Sequence, residues 1–270
     1  MNILVTLNSN YIKPLKVMLK SLFLNNDKES FTIYLMHSSL LKEELSELRE
    51  FIENQGNLLE IIEIKDDYFS DAPILLHYTK EMYYRLLAFK FLPQDLDRIL
   101  YLDPDILVIN SVSGLYNQDI SGHLYAAAYH DILSIREINK VRLNAYDIDA
   151  YYNSGVLLMN LELQRKIVDE QEIYNFVQKN GQKLIMPDQD ILNALYSQKI
   201  KSLDERLYNY DTRYYRYYKL KNNGICDMDY IFENTVILHF CGKKKPWKKK
   251  YSGKFHALYK HYEKLALNNR

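Results

Sequence analysis

Short apolar runs of strand length recur through the first two thirds of this chain, each followed by residues whose apolar positions return every three or four places. Runs at 3–7, 31–36, 58–64, 99–109, 124–129, 154–160 and 235–240 predict strands. Leu15, Met18, Leu19 and Leu22 predict one amphipathic helix, and Leu41, Leu45, Leu48 and Ile52 a second with charges on its other face. Further helices fit 79–92, stopped by Pro93, and 163–179, 189–197 and 256–267. The Tyr-rich stretch 207–218 follows neither period and reads as loop. Alternation of this kind argues for an α/β layer design with ligands bound where strands end. With no internal repeat and no Gly/Ser/Pro-rich linker, the chain reads as one domain with a C-terminal extension.

With 270 residues, 47% of them apolar, the chain can bury a large core. A charged fraction of 26% and 13% aromatics exclude a disordered or collagen-like chain, and no apolar run approaches the length of a membrane span. The N-terminus lacks a basic segment followed by a long apolar stretch, and Cys226 and Cys241 cannot form a disulfide framework, so a cytoplasmic home is expected. The 35 basic and 35 acidic residues cancel, yet the cancellation hides a split. From Lys243 to Arg270 nine Lys and one Arg face a single acid, a net +9, which leaves −9 on residues 1–242. Such a tail is either a solvated helix with a basic face or a surface for anionic lipid or polyphosphate.

Paired carboxylates carry the first chemical signal. Two Asp spaced by one residue in extended backbone share one side of a strand and can chelate a hard cation that holds phosphates. The pattern occurs five times, at 95, 103, 147, 188 and 227, so context must choose. Asp103-Pro104-Asp105 sits inside RILYLDPDILV, apolar on both sides. Carboxylates buried there require a cation or a position at a strand end, and Pro104, which cannot donate a ladder bond, suggests that the strand breaks. The alternative is a polar turn between two buried strands.

No glycine-rich phosphate loop is present. A bound nucleotide would therefore rely on a metal and side chains. The second signal is LHFCGKKKPW: His239 ends an apolar strand, Gly242 permits close backbone approach, and the lysines offer cations to phosphate. His239 could equally be a core histidine and the lysines a solvated turn. Nucleic-acid binding through this loop is disfavoured by the acidic remainder of the chain.

Taken in order, VTLNSNY, YYRLLAFKFLP, RILYLDPDILV, YYNSGVLLMNL, PDQDILN and HFCGKKKPW resemble the family 8 retaining glycosyltransferases, which include glycogenin and bacterial lipopolysaccharide galactosyl- and glucosyltransferases. The resemblance covers about residues 1–265. It implies a GT-A fold with a central mixed sheet flanked by helices, a catalytic domain over 1–242, and a basic loop and helix over 243–270 that complete the donor site. It also implies a UDP-hexose donor and Mn²⁺, with Mg²⁺ as a substitute. On that pattern Asp103, Asp105 and His239 look like metal ligands, and two carboxylates plus an imidazole suit Mn²⁺ better than Mg²⁺. Thr6, Leu7 and Tyr11 fall where the family holds uracil and ribose, and Pro104 lies between the metal carboxylates. Asn8 stands where the family commonly has Asp, which changes a hydrogen bond without removing one. Gly242 and Lys245 match the diphosphate grip; Arg85, Asn153, Asp188 and Gln189 match the hexose pocket. The family's acidic sugar contact falls at His130 or Asp131, with Asp131 the better match.

The resemblance implies hexose transfer with retention to a glycan, lipid-linked or protein-linked hydroxyl. Gln189 matches the position beneath the anomeric carbon, and an amide oxygen is a poor nucleophile. A front-face substitution is therefore favoured, with Lys245 stabilising the leaving diphosphate. Asp188 and Asp190 are the candidates for a covalent route, and Asp190 reads better as a support for the loop and helix that follow. The tail's later lysines could touch an anionic membrane carrying the acceptor, which would place the protein peripherally on the inner membrane face. The competing readings are a metal-dependent nucleotidyl- or phosphotransferase and a catalytically silent UDP-sugar-binding protein.

Overall fold

The computed structural model describes residues 1–65, 68, 81–130, 133–143, 145 and 147–268. In chain order the elements open with β1 (Asn2–Thr6), α1 (Ile12–Leu24), β2 (Thr32–His37), α2 (Lys42–Glu53), β3 (Leu58–Glu63) and α3 (Glu81–Leu86). The middle holds β4 (Arg98–Leu102), β5 (Ile106–Val108), α4 (Ser113–Tyr116), β6 (Tyr125–Ala128), α5 (Leu133–Leu143) and β7 (Val156–Asn160). Next come α6 (Leu161–Ile167), α7 (Glu170–Asn180), α8 (Pro187–Tyr196), β8 (Ile200–Leu203), α9 (Glu205–Tyr208) and β9 (Tyr210–Asp211). The chain closes with α10 (Tyr215–Lys221), α11 (Met228–Asn234), β10 (Ile237–His239) and α12 (His256–Leu267).

Seven strands form one mixed sheet in the order β3-β2-β1-β4-β7-β6-β8. β7 is antiparallel to both neighbours and the other pairings are parallel. Both faces are buried, as the near-continuous apolar runs require. Leu4, Ile99, Tyr101, Leu157 and Met159 enter one core with α3 and α8, while Ile3, Val5, Leu100, Leu102 and Leu158 enter the other with α1 and α2. The alternation is the two-residue period of a strand at work.

The expected strand over 99–109 divides into two that serve different sheets. Asp103-Pro104-Asp105 is the turn between β4 and β5, and β5 joins β10 and β9 in a second sheet ordered β5-β10-β9. The two Asp side chains therefore converge from a turn rather than from one face of a strand. The single helix expected over 163–179 is two, because Asp169 caps a new one: its side chain accepts from the Gln171 amide, and Val168 is extended. Only part of the helix expected over 79–92 is seen, as α3 followed by a 3-10 turn at Ala88–Lys90; residues 79–80 lie outside the described set.

The Tyr-rich stretch is ordered into α9, β9 and α10, with Tyr210 and Tyr218 fully buried against Phe240, Phe255 and Tyr259. The basic tail returns to this third core. Phe255, Tyr259 and Ala266 are its buried members from the tail, and α12 lies along α1, where the Asn25 amide donates to Tyr262 Oη at 2.8 Å. Among the described residues no helix is long and apolar enough to cross a membrane.

Candidate active site

β1 has β2 on one side and β4 on the other, so strand order reverses there and a crevice opens beyond the carboxyl ends of β1 and β4. Register fixes what meets in it. Leu102 pairs with Val156 and the Asp103 amide donates to Gly155 O at 2.8 Å, which sets Asn153-Ser154-Gly155 beside the first carboxylate. In the second sheet His239 pairs with Ile106, and the Phe240 amide donates to Asp105 O at 3.0 Å, which brings the imidazole to the second carboxylate.

His239 Nε2 lies 3.3 Å from Asp105 Oδ1 and 4.0 Å from Asp103 Oδ2. Asp103, Asp105 and His239 thus offer three ligand atoms all within 4.8 Å of one another. Asn209 Oδ1, 2.8 Å from His239 Nδ1, fixes the tautomer that leaves Nε2 free to coordinate. Gly155 makes the space: a Cβ there would sit 2.5 Å from His239 Cε1 and 2.6 Å from Asp103 Oδ2. A hollow that only glycine allows, facing two carboxylate oxygens and an imidazole nitrogen, fits a divalent cation.

The electrostatics agree. Burial disfavours charge on His239, but Cys241 and Asp105 outweigh it and carry its pKa well above the ordinary value. Burial likewise works against the Asp105 carboxylate, and His239 and Lys245 overcome it, holding the group well below the usual carboxylate range. Lys245 is ion-paired to Asp105 and donates to Phe240 O at 3.0 Å. Its pKa rises because Asp105 more than offsets its burial. The two carboxylates favour positive charge here, and the imidazole must release its proton from Nε2 before it can coordinate a cation.

On the opposite wall Arg85 bridges two acids, with Nη2 3.1 Å from Asp103 Oδ1 and Nη1 3.0 Å from Asp188 Oδ2. Its guanidinium also lies 4.4 Å from the centre of the Tyr101 ring. Asp188 and Gln189 occupy the first turn of α8, started by Pro187 at a position that needs no amide proton. Gln189 Oε1 accepts from Asn153 Nδ2 at 3.2 Å and from the Ser154 amide at 3.3 Å, so its carbonyl is pinned. Asp190 points away and is fully buried. It accepts from the Ile185 and Met186 amides and is paired with Arg142, supporting the loop before α8.

At the end of β1, Thr6 and Leu7 are buried, and Thr6 Oγ1 lies 3.3 Å from Tyr101 Oη. Asn8 accepts from the Asn10 amide at 3.1 Å and so starts the turn that carries Tyr11, whose ring meets Trp247 edge-on at 5.9 Å. Pro104 is buried between the two acids, and Gly242 turns at φ +84°. Asp131 lies outside the described residues. Its neighbour His130 is held by Glu205 at 2.6 Å, in a second cluster with Asp211 and Cys241.

Sequence reasoning passed over four residues that shape this site. Tyr101 donates to Asp103 at 2.6 Å, and Ser154 Oγ donates to Asp188 at 2.9 Å. Gly155 and Asn209 act as described. Tyr101, Ser154 and Gly155 lie inside motifs quoted above, whereas Asn209 sits in the Tyr-rich stretch with no pattern to mark it.

The family described as glycosyl transferase family 8 matches residues 2–251. The chain is 28% identical to general stress protein A of Bacillus subtilis, over 97% of this chain and 92% of that protein. It is 26% identical to a lipopolysaccharide 1,2-glucosyltransferase of Escherichia coli, over 100% of this chain and 78% of that one. Among solved structures, the galactosyltransferase LgtC in complex with donor and acceptor sugar analogs superposes with a TM-score of 0.83 at 21% identity, covering 100% of this chain and 98% of that one. Architecture and structural likeness together define a protein of the GT-A fold class. Within that class, the chain belongs to glycosyl transferase family 8.

Proposed function

We propose that this protein transfers a hexose, glucose or galactose, from a UDP-sugar to an acceptor hydroxyl with retention at the anomeric carbon. The observation that carries the reading is the meeting of Asp103, Asp105 and His239 with Lys245 on one side and the pinned Gln189 on the other. Asp103, Asp105 and His239 would hold Mn²⁺, which when bound neutralises charge on a nucleoside diphosphate. Thr6, Leu7, Asn8 and Tyr11 would hold the uridine, at the end of β1 where the sheet's crevice opens. Gly242 and Lys245 would grip the diphosphate, Lys245 exchanging part of its contact with Asp105 for the phosphate.

Arg85, Asn153 and Asp188 would orient the hexose, with Asp131 completing that pocket. In the reaction the bond from C1 to the β-phosphate oxygen breaks. The acceptor oxygen bonds to C1 from the same face, and its proton passes to the leaving phosphate. Gln189, uncharged and fixed by two hydrogen bonds, would stabilise positive charge developing on the sugar ring without capturing it. Asp188 is tied to Arg85 and Ser154, which favours an orienting role over a nucleophilic one.

The acceptor would be a glycan, a glycolipid or a protein-linked sugar; the lipopolysaccharide glucosyltransferase among the relatives supports a cell-surface glycan. Lysines beyond Trp247 would rest on an anionic membrane from the cytoplasmic side. Charge reversal at Lys248, Lys249 and Lys250 tests that contact with anionic vesicles, since all three are exposed and outside the core. For the reaction itself, incubation with Mn²⁺ and a panel of UDP-sugars should release UDP slowly from UDP-glucose or UDP-galactose. Gln189→Ala should cut that rate about 10²-fold with UDP affinity unchanged. No UDP release from any UDP-hexose would overturn the reading, and an undiminished rate in the variant would remove Gln189 from the sugar.

A further inference from the structure

Beyond Gly242 lies a cavity of about 620 Å³ bounded by Arg213, Arg216, Lys243, Lys244 and Lys254, and no carboxylate lines it. Asp103, Asp105, Arg85, Gln189 and Lys245 are not in its walls; the cavity meets the candidate active site through Cys241 and Gly242. Arg213 is anchored by three hydrogen bonds to Asp211, which leaves Nη1 for the cavity side. That Nη1 sits 2.7 Å from where a Cβ on Gly242 would be, so the glycine is needed for the guanidinium to close in. Among the described residues, Arg216, Lys243 and Lys244 have no carboxylate within 4 Å. Lys254 stacks over the Tyr215 ring at 4.5 Å.

Five cations around one concavity repel each other, and among the described residues the one acid paired with them is Asp211, behind Arg213. A multiply charged anion is the ligand that such a site stabilises, and guanidinium pairs match phosphate oxygens in particular. The cavity also has Tyr215 and Tyr251 in its wall, whose ring faces suit sugar rings. Its concave form and its volume fit one or two sugar units rather than a bilayer surface. We infer that this cavity binds a phosphate group on the acceptor glycan, so that the protein acts on a phosphorylated saccharide. The inference rests on the transferase reading and names the class of its acceptor.

Binding of maltose 1-phosphate and of maltose to the full chain, loaded with Mn²⁺ and UDP, tests it by ligand-observed NMR. Inorganic phosphate and anionic vesicles serve as separate arms. Maltose 1-phosphate should bind at least tenfold more tightly than maltose and than inorganic phosphate. The preference should vanish in Arg216→Glu/Lys244→Glu and weaken in the milder Arg216→Ala/Lys244→Ala. Both sites are exposed, so the fold should survive, and UDP affinity should not change. Equal binding of the two saccharides, a preference that survives charge reversal, weaker binding of maltose 1-phosphate with UDP loaded than without it, or loss of vesicle binding alone in the variants would each overturn the inference. Failure of the wild-type protein to bind UDP would instead overturn the donor assignment, leaving the sugar-phosphate comparison readable.

Discussion

In the seven-stranded sheet, β1 and β4 are parallel neighbours, and their carboxyl ends bring Thr6 and Asp103 to one edge through pairings such as Ile3 with Leu100. In the three-stranded sheet, Asp105 meets His239 only because β5 pairs with β10, Ile106 opposite His239. The first arrangement joins strands that are neighbours in the sheet but not in the chain, since β2 and β3 come between β1 and β4 in sequence. Both close loops of roughly a hundred residues or more at similar entropic cost, and what sets the second apart is the turn at Pro104, which carries the chain out of one sheet and into the other. The cation hollow therefore spans a seam: one carboxylate belongs to the large sheet, and the other ligands belong to the small one. A site built across a seam should be most sensitive to changes that disturb both sides together.

The largest effect should come from the ligand that touches both His239 and Lys245. Asp105→Asn keeps the shape and removes the charge, and UDP-sugar turnover with saturating Mn²⁺ should fall about 10³-fold. Turnover near the wild-type rate would show that the two sheets do not share a functional cation. Next is Gly155→Ala, whose added methyl would press on both His239 and Asp103 across the seam. A loss of about 10²-fold is expected from displacement of reacting groups by an ångström or less. Gly114 provides the control, since a Cβ there meets only Tyr208 Oη at 3.6 Å, and Gly114→Ala should turn over normally. If both alanines behave alike, the hollow at Gly155 is not what the reaction uses.

The same seam divides what could be read from the sequence. Periodicity predicts β1, β2, β3, β4 and the helices between them because each buries a repeating local pattern. It also places Asp103 and Asp105 together, since only Pro104 separates them in the chain. It cannot show that residues 99–109 leave one sheet and enter another, because a strand pattern records alternation and says nothing about the partner. It merges α6 with α7, since the apolar period runs through Asp169 while the cap that divides them is a single side chain. The Tyr-rich stretch is the hardest case. Tyr210 and Tyr218 pack against Phe255 and Tyr259, more than thirty-five residues away in each pairing, so no local window contains the reason for the order. The family motifs find His239 and Gln189, yet Asn209, which orients the imidazole, lies in the unreadable part.

Asn209 sharpens the comparison from the small-sheet side. It holds His239 through Oδ1 and donates through Nδ2 to Asn153 Oδ1 at 2.8 Å, the residue that also donates to Gln189. Asn209→Ala should weaken Mn²⁺ binding about 10- to 100-fold, read by the metal dependence of UDP affinity. An unchanged metal titration would mean that the imidazole keeps its tautomer and orientation without this contact.

The smallest effect belongs to the far edge of the second sheet and concerns stability rather than turnover. Burial lowers the pKa of His130, but hydrogen bonds to Cys241 and Glu205 and the charge of Asp211 reverse that and push it up to about 9. In the unfolded chain an imidazole titrates near 6.5. Because the folded value is the higher one, the folded state holds the proton more tightly. The extra stability is fully present below pH 6.5 and is lost as pH rises through 9. His130→Gln removes the titrating group. The gap between wild type and variant, measured from denaturant midpoints, should therefore shrink by about 1–3 kcal/mol between pH 6 and pH 9.5. Parallel stability curves over that interval would show that folding does not raise the affinity of His130 for its proton. The small sheet would then be held by its aromatic core and its backbone pairing, without the ion pair to Glu205.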